Sequence, residues 1–167
     1  MSSVGRPAGP VWSRDFTMLA TEALSLNDRR PRMRVAARAR ELRTLGYFEA
    51  RRSGDPAPRL ERALIVVTVL FSTRGRRDPH NFAPTVKPIV DGLVASGLLP
   101  DDDSRHLDLR IEGRPEELSE RVAGRAATTF RFDVYDLGGG QAMSDARETA
   151  PTGSAVRRRP RRSPVAG

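Results

Sequence analysis

The sequence predicts a single α+β domain: a mixed β-sheet with two main helices, in the order β-α-β-α-β-β, followed by a disordered basic tail. Three observations lead there. Ala63–Phe71 (ALIVVTVLF) is apolar and β-branched throughout, as a central strand covered on both faces would be. Residues 31–52 and 84–95 carry apolar side chains at three- and four-residue steps, the period of a helix packed on one side. From Gly138 onward the composition falls to Gly, Ser, Ala, Thr, Pro and Arg, which cannot bury a core. A chain of 167 residues suffices for one domain and is short for two. The expected organisation is a flexible N-terminus at 1–13, a folded domain at 14–137 and an Arg-rich tail at 138–167.

Residues 15–20 (DFTMLA) predict a short first strand. The 31–52 helix places Val35, Ala39, Leu42, Leu45 and Phe48 on its apolar stripe. Arg32, Arg34, Arg38, Arg40 and Arg43 fall mostly away from it, and two readings stand: a solvated face or a phosphate-contacting one. The punctuation of SGDPAP at 53–58 marks a loop. In the second helix Val86, Ile89, Val90, Leu93 and Val94 are apolar, Pro88 is expected within the first turn, and Gly97 ends it. Residues 106–112 alternate Leu107, Leu109 and Ile111 with charged neighbours, and 128–134 alternate Phe130, Phe132 and Val134 with Arg131 and Asp133. Both read as strands.

Composition narrows the functional classes. There is no cysteine, so disulfides and thiolate metal sites are excluded. No apolar run approaches the roughly 18 residues of a membrane span, and the first residues lack a secretory apolar core, so no membrane partner and a cytoplasmic location are expected. The net charge of +8 comes from 29 basic residues, all arginine except Lys87, against 21 acidic ones. Arginine presents a planar fork of donors that matches phosphate oxygens in pairs. GC-rich coding produces the same bias, so charge alone does not decide for nucleic acid.

The residues that carry chemistry lie between 76 and 107. Asp78 follows the apolar strand, Lys87 and Asp91 are four apart and so share a helix face, and Asp101, Asp102 and Asp103 follow that helix. Carboxylates from a strand end, a helix and a turn are what a Mg2+ ion takes, together with waters and substrate phosphate. Individually each acid has a bland reading: a capping turn for 101–103, a surface helix position for Asp91, an ion pair with Arg76 or Arg77 for Asp78.

Taken together, Arg76, Arg77, Asp78, Asn81, Lys87, Asp91 and the Asp102-Asp103 pair fall in the order of a known motif. The segment resembles the RusA-like Holliday junction resolvases, whose pattern is an arginine pair, Asp-x-Asp-Asn, a lysine, an aspartate four residues on, and an Asp-Asp pair after a short helix. Asn27 and Arg29 look like that family's N-terminal substrate-binding signature. The resemblance spans about 15–137 by element order and 76–105 by motif. It implies a magnesium-dependent endonuclease acting on four-way or branched DNA as a homodimer, without a small-molecule cofactor. Metal ligands would be Asp78, Asp91, Asp102 and Asp103, with His80 as a further ligand candidate; catalytic roles fall to Asp78, Lys87, Asp91 and Asp103; DNA contacts to Asn27, Arg29, Arg76, Arg77 and Asn81. Two departures stand out. His80 replaces the family's second acid, and as a nitrogen donor it would suit Mn2+ better than Mg2+. Residues 82–86 (FAPTV) lengthen the link between Asn81 and Lys87 by three. Pro100 shifts the register of the acidic pair, and Ser104 following it favours Asp102 and Asp103 over Asp101. The rival reading is a junction-binding protein with little catalysis; a basic nucleic-acid-associated protein with a merely structural acidic turn is the third.

Overall fold

A computed structural model describes residues 9–75 and 77–138. Its elements are β1 (Trp12–Leu19), α1 (Arg32–Ala50), β2 (Ala63–Phe71), a 3-10 turn (Pro79–Phe82), α2 (Ala83–Ala95), β3 (Leu107–Leu118) and β4 (Ala127–Asp136). The expected α+β class and element order are observed. The four strands form one mixed sheet in the order β1-β4-β2-β3, with β2 parallel to β3 and antiparallel to β4, and β1 antiparallel to β4. The parallel pair is joined through α2, the crossover that a β-α-β unit requires.

β2 is buried along its whole length, but its two faces are covered differently. Ile65, Val67 and Val69 share a core with Phe130, Phe132 and Val134 of β4, Leu42 and Ala50 of α1, and Val86, Ile89 and Leu93 of α2. On the other face Leu64 and Val66 meet Tyr135 and the partly buried Leu137, with no helix among them. Among the described residues, helices therefore cover one face only, whereas the apolar run of β2 suggested both. The opposite face carries polar cross-strand pairs instead. Arg131 bridges Asp15 at 3.2 Å and Glu117 at 2.8 Å, and the Ser13 hydroxyl donates to Asp133 at 2.6 Å.

Several boundaries differ from the sequence reading. β1 starts at Trp12, which is buried, so the ordered domain begins inside the stretch expected to be flexible. β3 runs on to Leu118, with an irregularity in its pairing between Val69 and Phe71 of β2. Pro88 lies inside α2 as the sixth residue of a helix that starts at Ala83, past the first turn where it was expected. On α1 the inward residues are Leu42, Gly46 and Ala50, with Val35 and Ala39 packed against the core. Leu45 and Phe48, expected inside, are 37% and 65% exposed. The tail from residue 139, residues 1–8 and Arg76 lie outside the described residues.

Candidate functional site

The chain leaving β2 is pinned before it enters α2. Asp78 caps the 3-10 turn: its Oδ1 accepts from the His80 amide at 2.9 Å. Pro79 rests against Gly113 of β3, where a Cβ would stand 3.6 Å from the proline ring. Phe82 anchors the turn on the sheet, its ring 5.5 Å from Phe71 and 5.9 Å from Phe130. Asp78 and His80 are thus held at the surface by backbone geometry, both exposed. Arg77 lies over the Phe71 ring at 5.0 Å and donates to the Thr73 hydroxyl.

A second segment docks on this one. Between β1 and α1, the Leu26 amide donates to the Asn81 carbonyl at 2.8 Å. The fully buried Thr85 hydroxyl accepts from the Leu24 amide at 2.7 Å and donates to the Leu24 carbonyl at 2.8 Å. The loop is also braced internally. Arg30 forms a charge-assisted pair with Asp28 and donates to the carbonyls of Thr21 and Ala23. That guanidinium, by hydrogen bonding, holds the Asp28 carboxyl down at about 2. Asn27 and Arg29, the alternate residues, are left exposed. The two separated parts of the motif, 27–29 and 78–81, are therefore neighbours. The sequence reading missed Asp28, Arg30 and Thr85; an Asp two residues before an Arg is a local turn signal that could have found the first two, whereas Thr85 has none.

The acids after α2 divide by role. Gly97, with φ +102°, ends α2, and the chain turns back. Asp101 accepts from the Asp102 amide at 2.7 Å. Asp103 accepts from the amides of Arg105 and His106 and from the Arg105 guanidinium at 2.7 and 2.9 Å. The hydrogen bond to the Arg105 side chain is the main cause that lowers the Asp103 pKa. Asp102 instead faces α2, its Oδ2 3.8 Å from Lys87 Nζ, a contact between exposed groups that contributes little stability. Asp91 is half-buried one turn beyond Lys87, and its carboxylate has no hydrogen-bond or ion-pair partner among the described residues. Asp102 is thus linked to α2 through Lys87, while Asp103 is committed to its own turn. Among the described residues, no group of three or more His, Asp or Glu side chains stands close enough together to hold a metal ion. Mg2+ commonly takes only one or two carboxylates and completes its shell with water and phosphate, and carboxylates such as those of Asp91 and Asp102 are donors of that kind.

Of the arginines on α1, Arg38 is tied down, donating to the Glu22 carbonyl at 3.0 Å and to Glu41 at 2.9 Å. Arg32, Arg34, Arg40 and Arg43 are exposed. No helix among the described residues is long and apolar enough to cross a membrane. No protein-family model matches the chain, and no curated protein matches it.

Proposed function

We propose that this protein is a RusA-like endonuclease that resolves four-way DNA junctions by divalent-metal-dependent phosphodiester cleavage. The observation that carries this reading is the docking of the 27–29 loop on the 78–85 segment through Leu26–Asn81 and Leu24–Thr85. Two parts of the motif, about 50 residues apart in sequence, share one surface there, and Lys87 is held toward the acidic turn.

Asp91 and Asp102 are the residues that would hold Mg2+ or Mn2+, with Asp78 displayed at the neighbouring turn. Such an ion supplies a nucleophilic water and offsets charge developing on the phosphate. Lys87, exposed and loosely paired, is free to exchange Asp102 for a phosphate oxygen. Asn27, Arg29, Arg77 and Asn81 would fix the backbone of the junction arms, which requires hydrogen bonding without base readout. A junction of near two-fold symmetry needs two nicks, so a two-fold homodimer is the matching assembly.

A second reading, a junction-binding protein that cuts poorly, is favoured by His80 at the position of an acid and by the commitment of Asp103 to Arg105. Incubation with a labelled synthetic four-way junction separates the two. Paired nicks in Mg2+ or Mn2+, none in EDTA, and little cutting of linear duplex are expected. Binding without nicks in either metal would replace the nuclease by the binder.

A further inference from the structure

The outer face of α1 exposes large apolar side chains among its charged ones. Met33 is 84% exposed and Phe48 65%, and a shallow groove is lined by Ala37, Arg40, Glu41, Thr44, Leu45 and Phe48. At 100° per residue, Met33, Ala37, Arg40, Glu41, Thr44 and Phe48 form one straight stripe, opposite the Leu42, Gly46 and Ala50 that face the core. The stripe has an internal symmetry. Met33 lies as far before the midpoint between Arg40 and Glu41 as Phe48 lies after it, and the same holds for Ala37 and Thr44.

We propose that this face pairs two copies of the chain through antiparallel α1 helices, about a two-fold axis passing between Arg40 and Glu41. In that arrangement Met33 of each copy meets Phe48 of the other, and Ala37 meets Thr44, small residues that let the helices approach. Arg40 meets Glu41, which also accepts from Arg38 of its own helix at 2.9 Å, so opposite charges face each other twice around the axis. A parallel pairing would set each residue against itself, Arg40 on Arg40 and Glu41 on Glu41, which charge disfavours. Each residue finds its complement only in the antiparallel register, and that self-complementarity selects a second copy as the occupant. The contact is about 22 Å long. One helix pair falls short of the roughly 800 Å² per partner of a stable interface, and a net charge of +8 on each copy opposes association. The dimer is therefore concentration-dependent and firmer in salt. This names the surface for the homodimer of the proposed function but stands on α1 alone, without DNA or metal.

The test uses the full chain in sedimentation equilibrium, with no nucleic acid, so that its failure is distinct from absence of nicking. The wild type is expected to dimerise reversibly. Arg40→Glu and Glu41→Arg, each setting like charges across the axis, should weaken the dimer about tenfold or more, and the double exchange should restore it. The protein has no cysteine, which permits a register test. A Met33→Cys/Phe48→Cys variant treated with a short bismaleimide should give covalent dimers, and neither single variant should. Thermal melts confirm that each variant is folded. A wild type that stays monomeric at the highest soluble concentration, as it would if a different partner or another segment of the chain covered the face, overturns the proposal. So does a dimer indifferent to both charge reversals, or one cross-linked equally by the single cysteines.

Discussion

At the scale of single residues, alternation in the 27–30 stretch separates structure from surface. Asp28 and Arg30 turn inward onto each other and onto the loop carbonyls, and Asn27 and Arg29 turn out. The Asp28 pair has a pH signature. Its folded pKa, about 2, lies below the unfolded carboxylate value of about 4, so its contribution is fully present above pH 4 and is lost as pH falls toward 2. Urea titrations between pH 2 and 5 should show a shallower fall in stability for Asp28→Asn than for the wild type; identical slopes would show that the pair does not act on folding. Thr85 permits a cleaner substitution. Thr85→Val keeps the shape but strands both backbone groups of Leu24, a loss of about 2 kcal/mol, whereas Thr85→Ser should stay within about 1 kcal/mol of wild type. Junction affinity should fall with Val and recover with Ser, because the clamp positions Asn27 and Arg29. The candidate acids themselves were legible, since residue type and order are sequence properties. Their division of labour was not: that Asp103 is spent on Arg105 while Asp102 faces Lys87 depends on how the chain turns after Gly97, which no local pattern encodes.

At the scale of elements, the strands and α2 were readable because each buries one consistent pattern, and β2 is the extreme case. The helix α1 misled because it is apolar on two sides. Its stripe through Leu45 and Phe48 has the right period, yet the inward face is set by small residues that allow α2 to approach. Gly46 and Gly92 mark that crossing. A Cβ on Gly46 would stand 2.4 Å from the Ile89 carbonyl oxygen, and one on Gly92 2.1 Å from that of Arg43. Both neighbours are backbone, so neither can swing aside, and the helices must separate. Gly46→Ala and Gly92→Ala should each destabilise by about 3 kcal/mol in denaturant unfolding, despite the higher helix propensity of alanine. A gain in stability would mean that the helices cross farther apart than described. The single-sided helix layer among the described residues was likewise hidden: a strand face flanked by Tyr135 and Leu137 reads the same as one roofed by a helix.

At the scale of the whole molecule, charge and symmetry decide the behaviour. The surplus of arginine predicts salt-sensitive DNA binding, and five arginines lie in residues 157–162. Deleting residues 138–167 should leave the cooperative melt intact, because the described sheet and core end at β4 and Leu137. It should flatten the dependence of log K on log salt by about 0.9 per phosphate contact removed, while preference for junction over duplex persists. A lost melt would show that the tail supports the fold. The central claim is that the face of α2 bearing Lys87 and Asp91 is a metal-dependent cleavage site. Replacing Asp91 by Asn keeps the helix and the side chain's size but removes the charge a cation needs. It also removes a negative charge near phosphate, so binding should hold or tighten. The most direct measurement compares wild type and Asp91→Asn on one labelled four-way junction, reading affinity in EDTA and nicking in Mg2+ or Mn2+ on the same preparations. The account predicts unchanged or tighter binding, with nicking reduced by about two orders of magnitude or more. Wild-type nicking by Asp91→Asn would contradict it.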